Sequence, residues 1–146
     1  MKIIIGSRQS GKTTKCIEFM KENLNSNCIT PNQRMADVIN EKLGEKRARA
    51  FPSSILSQLA NKEIVIDEAD FIDEGVLKKL EKLNKILLVT ATPYRSRTNP
   101  KTWLRKKMMQ YGFQRLPSLM SEERIESLKK IMTIKRFKAE ILAEFS

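Results

Sequence analysis

Apolar residues cluster in four short runs, Lys2–Ile5, Asn27–Thr30, Glu63–Asp67 and Ile86–Thr90. Ile and Val dominate three of them, as expected for strands covered on both faces. Between the runs the apolar spacing becomes helical. Lys12–Leu24 places Ile17, Met20 and Leu24 on one face, and Gln33–Leu43 does so with Met35, Val38, Ile39 and Leu43. Ser53–Ala60 reads as a shorter helix, and Glu74–Leu83 stripes Leu77, Leu80 and Leu83. Tyr111–Leu116 is a candidate fifth strand. Ser121–Phe145 reads as one long terminal helix, with Ile125, Leu128 and Met132 on one side. Strands alternating with helices predict an α/β fold, a parallel sheet built from right-handed crossovers.

Composition narrows the chemistry. The chain has 146 residues, the size of one domain, with 40% hydrophobic and 31% charged residues. Five Gly, five Pro and no repeat leave little room for flexible linkers. Two cysteines, Cys16 and Cys28, are too few for a disulfide framework or a four-ligand zinc site. The absence of histidine excludes a His metal site and a His general base. The N-terminal apolar run is too short for a signal peptide, and no long apolar stretch predicts a membrane span. A reducing, cytoplasmic setting is the expectation.

Gly6-Ser7-Arg8-Gln9-Ser10-Gly11-Lys12-Thr13 fits the phosphate-loop pattern G-x-x-x-x-G-K-[ST] throughout. Gly6 and Gly11 are expected to permit backbone angles that a side chain would block. The N–H groups of Ser7, Arg8, Gln9, Ser10 and Thr14 can then curl around the phosphates. Lys12 is placed to reach the β- and γ-phosphates and the Thr13 hydroxyl to ligate Mg²⁺. The loop follows an apolar strand and opens an amphipathic helix, whose positive end adds to the anion site. On the third run, Ile64-Val65-Ile66-Asp67-Glu68 is an apolar strand ending in two carboxylates. The carboxyl ends of parallel strands face the ligand crevice. Asp67 is the candidate holder of a water in the Mg²⁺ shell. Glu68 is the candidate base for an attacking water. The domain expected is a P-loop NTPase of three layers, with a five-stranded parallel sheet in the order 5-1-4-3-2 and a C-terminal helix.

Asp67-Glu68-Ala69-Asp70 resembles the acidic box of superfamily 2 helicases. Leu88-Val89-Thr90-Ala91-Thr92-Pro93 is similar to the helicase motif that couples hydrolysis to strand handling. Thr30-Pro31-Asn32 resembles, more weakly, a helicase segment that touches the nucleic-acid backbone. Ser7-Arg8-Gln9-x-Gly11-Lys12-Thr13-Thr14 is similar to the phosphate loop of phage terminase large subunits, which drive DNA into capsids. The resemblance covers about residues 2–95. It implies a RecA-like ATPase core with an additional strand and a catalytic Glu, ATP as the nucleotide and Thr92 as a reader of the γ-phosphate. It also implies a charge-stabilising role in cis for Arg8. The domain is expected to span 1–116, with 117–146 a helical extension of it. The second RecA-like domain of a helicase and the nuclease domain of a terminase are not recognised in the chain.

The formal net charge is +11, and residues 94–146 carry 13 Lys or Arg against 5 Asp or Glu. A basic excess favours a polyanion, because neutralised phosphates release condensed counterions. Arg95, Arg97, Lys101, Arg105, Lys106, Lys107 and Arg115 are interleaved with Tyr94, Trp103, Tyr111 and Phe113. That mixture suits nucleic acid, cations meeting phosphates and rings meeting bases. A solvated cationic face over buried rings is the alternative. The leading expectation is an ATPase acting on nucleic acid, DNA in preference to RNA, with a neighbouring subunit or larger motor supplying an arginine finger. A phage origin would set it in the host cytoplasm. Two other classes remain open. Asp67-Glu68-x-x-Phe71 is similar to a segment of thymidine kinases, although Asp70 stands where those have Gln. A regulatory ATP-binding subunit of a phage replication or packaging machine is the other.

Overall fold

The apolar runs assemble into a wholly parallel sheet. Its strands are β1 (Lys2–Gly6), β2 (Asn27–Thr30), β3 (Ala48–Ala50), β4 (Glu63–Ile66), β5 (Lys85–Ala91) and β6 (Gln114–Leu116). They lie in the order β3-β2-β4-β5-β1-β6. The computed structural model describes residues 1–51 and 61–142. The expected order is present, with one further strand, β3, at the edge beyond β2. The helices are α1 (Lys12–Glu22), α2 (Gln33–Leu43), α3 (Glu74–Leu83), α4 (Trp103–Tyr111), α5 (Glu122–Ile131) and α6 (Ile134–Phe137). The helix expected over Ser53–Ala60 lies outside the described residues.

Strand alternation divides the core in two. Ile3, Ile5, Ile29, Ile64, Ile66 and Val89 face α3 and α4, where Leu77, Leu80, Trp103 and Leu104 close the layer. Ile4, Cys28, Val65 and Leu88 face α1 and α2, meeting Cys16, Ile17, Met20 and Ile39. Each fully buried aliphatic side chain contributes about 1.5–3 kcal/mol. Three apolar positions expected inside are not: Leu24 is 75% exposed, Val38 42% and Leu83 38%. Leu24 falls beyond α1 because Asn23 caps that helix with bonds from its backbone and side-chain nitrogens to the Phe19 carbonyl.

The terminal helix is not continuous. Met132 and Thr133 both take extended backbone angles, and the Thr133 hydroxyl accepts from the Arg136 amide. A threonine that caps a new helix interrupts the old one. No residue of α5 is buried, whereas Phe137 and Ile141 are. A π-type turn over Lys138–Leu142 follows α6. Nor does a strand begin at Tyr111, which is the last residue of α4; β6 starts at Gln114.

The added strand has a specific fastener. Asn40 of α2 accepts from the amides of Arg47 (2.8 Å) and Ala48 (2.7 Å) and donates to the Ala48 carbonyl (2.9 Å). One side chain thereby satisfies three backbone groups at a sheet edge. Asn40→Ala is expected to cost roughly 1–3 kcal/mol. It should also speed amide exchange at Arg47 and Ala48 while Val89 stays protected. Unchanged exchange at Ala48 would show that β3 holds without Asn40.

Candidate active site

The turn after β1 is compact enough to dictate its residues. A Cβ on Gly6 would lie 2.4 Å from Ser10 Oγ, so close approach rather than backbone angle requires glycine there. At Gly11 the angle does decide, with φ at +86°. Inside the turn, Lys12 Nζ donates to the Ser7 carbonyl (2.7 Å) and Ser10 Oγ donates to the same oxygen (2.7 Å). Lys12 is only 5% exposed and pairs with Glu68 Oε1 at 3.3 Å. From the far end of the chain, the Leu119 amide donates to the Gln9 carbonyl and braces the outer rim. A cavity of about 320 Å³ opens here, lined by residues 8–14, Glu68 and Thr92.

The acidic turn after β4 is fastened to β5. Thr90 Oγ1 donates to Asp67 Oδ1 (2.7 Å) and accepts from the Glu68 amide (3.2 Å). Glu68 takes a left-handed backbone, φ 55° and ψ 56°, a conformation that a non-glycine residue holds at some cost. The twist brings its carboxylate to Thr92, whose amide donates to Oε2 (3.0 Å) and whose hydroxyl donates to Oε1 (3.2 Å). Asp67 is fully buried behind the loop, and its Oδ2 meets no donor among the described residues. Burial, and secondarily the Glu68 charge, push its carboxyl up to about 6, against the pull of Thr90, Cys16 and Lys12.

The structure therefore brings the phosphate loop, Asp67, Glu68 and Thr92 together, and sets the basic segment apart. Trp103 is withdrawn as a stacking residue: it is 3% exposed in the core, and its ring nitrogen donates to Glu81 (3.2 Å). Arg95 pairs with Glu74 (2.9 Å) and donates to the Ala69 and Ile72 carbonyls. Arg105 donates to the Ser96 carbonyl (2.7 Å), and Lys107 pairs with Glu81. Lys107 fastens α4 to α3, Arg105 fastens α4 to the segment before it, and Arg95 fastens that segment to α3 and the acidic turn. Lys101 and Lys106 are exposed, and Arg97 is buried at the edge of another cavity.

Two contributors were not read from the sequence. Leu119 is far from Gln9 along the chain, and no pattern announces their bond. Cys16 lies with its Sγ 3.6 Å from Asp67 Oδ1. Its position one turn after Lys12 puts it on the same helix face, and that spacing was the available signal. Among the described residues no cluster of His, Cys, Asp and Glu forms a metal cage, and no helix is long and apolar enough to cross a membrane.

A family model described as an AAA domain matches residues 1–111. No curated protein sequence matches the chain. Among solved structures, the large terminase of a thermophilic bacteriophage is similar, with a TM-score of 0.68 at 12% identity over 96% of this chain and 47% of that one. The same terminase in complex with ADP gives 0.68 at 13% identity over 97% and 47%. Identity this low makes the likeness one of fold. The chain spans less than half the length of these terminase chains.

The buried Asp67 carboxyl has a measurable consequence. Its ordinary value of 3.8 is raised to about 6 on folding, so the folded state holds the proton more tightly. The associated stability is complete at acid pH and is lost as pH rises through about 6. With divalent cations chelated, wild-type stability relative to Asp67→Asn should fall by up to about 3 kcal/mol between about pH 3.5 and pH 8. Urea unfolding of both proteins across that range measures it. A difference that does not vary with pH would mean that Asp67 titrates normally.

Proposed function

Because the chain belongs to the AAA domain family, we propose that its phosphate loop serves ATP hydrolysis, with Glu68 as the base and nucleic acid as the partner acted upon. The observation that carries this reading is the Glu68 carboxylate, fixed by both donors of Thr92 and set 3.3 Å from Lys12 in the loop cavity. A carboxylate so oriented accepts a proton from water. The water attacks the γ-phosphorus, its proton passes to Glu68, and the bond to the β-phosphate oxygen breaks to leave ADP.

The other residues take supporting roles. Lys12 exchanges its bonds to Glu68 and Ser7 for phosphate oxygens. Gly6 and Gly11 let the backbone curl, and the loop amides and the first turn of α1 receive the phosphates. The buried, unpartnered Oδ2 of Asp67 fits a site that accepts a bond from metal-bound water, and Thr13 is the hydroxyl ligand. Mg²⁺ bound there would neutralise phosphate charge. Thr92, which touches Glu68, is the reader of the γ-phosphate. Arg8 is the one arginine on the rim of this cavity among the described residues. We assign it charge stabilisation in cis, with a second copy of the chain or a larger motor contributing a further arginine. The +11 charge favours a nucleic acid of either kind, and the resemblance of the phosphate loop to that of phage terminases favours DNA over RNA.

Glu68→Gln should keep ATP binding and lower turnover by roughly 10²-fold or more, the scale of general-base catalysis. Lys12→Ala should lose triphosphate binding, and a titration with unchanged affinity refutes the loop assignment. Phosphate release, with and without DNA, measures the first; phosphate transfer to thymidine instead of water would move the reading to a kinase. A finger in trans raises turnover by about 10³-fold or more, so turnover per chain should rise with protein concentration. Fast turnover that is constant on dilution and collapses in Arg8→Ala would assign the work to Arg8 alone.

A further inference from the structure

A second cavity, of about 610 Å³, lies between the segment that follows β5 and helix α6. Tyr94, Arg97 and Thr98 line one side, and Thr133, Lys135 and Arg136 the other; Arg95 completes it, and no carboxylate is among the lining residues. Its volume falls in the range of about 300–1,000 Å³ usual for small-ligand sites.

Arg97 is the feature that points to a ligand. Its side chain is 8% exposed, its Nε is buried without a hydrogen-bond partner, and its guanidinium forms no ion pair among the described residues. Arg95, in the same cavity, is instead paired with Glu74 and bonded to two carbonyls. A buried, unpaired guanidinium carries a desolvation cost that an anion relieves, and its planar fork matches a phosphate.

Beside it stands a stacking platform. The Tyr94 ring, 61% exposed, lies on Phe71 with centroids 4.9 Å apart and planes 20° from parallel. The mount is rigid: Asp70 Oδ2 accepts from the amides of Tyr94 and Ser96 (2.9 Å each), and Oδ1 accepts from Ser96 Oγ (2.6 Å). A phosphate seat beside an exposed ring matches one repeat of a nucleic-acid strand, and ring stacking requires a base that is not paired.

We propose that this cavity seats one nucleotide unit of a single-stranded nucleic acid, its phosphate on Arg97 and Lys135 and its base on Tyr94. This rests on the nucleic-acid half of the preceding reading and is independent of the hydrolytic half. The shared chemistry, a phosphate next to a base, also belongs to a free mononucleotide; the exposed cations Lys101 and Lys106 on the continuing chain favour the strand.

The test is fluorescence anisotropy with labelled oligo-dT over a series of salt concentrations, with unfolding temperatures as the check on each variant's fold. Tyr94→Ala should weaken binding about tenfold or more, the scale of base–aromatic stacking, and Tyr94→Phe should restore it. Lys135→Ala should make the log–log salt slope shallower by about 0.7, one phosphate contact on a single strand. Both positions are exposed, so their substitution leaves the core intact. Arg97→Gln should lower affinity as well. Wild-type binding that persists unaltered in Tyr94→Ala and Lys135→Ala overturns this site and leaves the nucleic-acid reading standing. No binding of oligo-dT or duplex by the wild type at low salt overturns both. Competition by dTMP as effective as oligo-dT makes the occupant a free nucleotide and overturns the strand.

Discussion

Parallel pairing of β5 with both β1 and β4 fixes where everything else can be. Ile4 lies opposite Thr90, and Ile66 opposite Val89. The three strands therefore end together, and whatever follows each must share one edge of the sheet. The phosphate loop follows β1, the acidic turn follows β4, and Thr92 follows β5. An inserted strand between any two would separate the loop from the carboxylates by about 5 Å per strand. The alternating Ile and Val side chains, buried on both faces, are what make that pairing stable.

Beyond the sheet, a second order is built on the acidic turn. Residues at alternate positions of the chain leaving β5 each meet it: Thr90 bonds Asp67, Thr92 bonds Glu68, and Tyr94 and Ser96 bond Asp70. Past the last ladder bond, carboxylates take the place of a neighbouring strand, as far as the 3-10 turn Arg95–Arg97. Buried carboxylates are tolerable only when so supplied with donors. Asp67 is the exception. Its second oxygen has no donor among the described residues, and burial together with the neighbouring Glu68 charge raises its carboxyl. The same zipper connects the loop cavity to the basic cavity, since Glu68 and Asp70 are two residues apart and Thr92 and Tyr94 likewise.

The positive charge of the chain's last third is divided between two uses. Arg95, Arg105 and Lys107 are structural, each answering a carboxylate or carbonyl in α3, the acidic turn or the segment before α4. Lys101, Lys106 and Lys135 are exposed, and Arg97 is buried but uncommitted. Counting charges along the chain cannot make this distinction, because an arginine's partner is set by the packing of elements remote in sequence.

The sequence by itself determined the parallel α/β fold and the phosphate loop, because each rests on local patterns: buried apolar runs, helical spacing and the spacing of Gly6, Gly11, Lys12 and Thr13; the order of five strands followed from the resemblance to P-loop ATPases. It also showed that Asp67 and Glu68 end a strand beside the loop. Tertiary structure alone decided the rest. The edge strand β3 is three residues long with little apolar signal, and it exists because Asn40 and β2 complete its hydrogen bonds. The terminal helix breaks at Thr133, whose side chain caps a new helix after a stripe in which no residue is fully buried. Trp103 went to the core and Tyr94 to the surface, although both are aromatic residues in the same basic segment. Ring and cation alone do not say which will meet solvent. For Trp103 that depends on which face of α4 lies against α3, and for Tyr94 on the bond of its amide to Asp70, contacts between distant stretches of chain that no local pattern encodes.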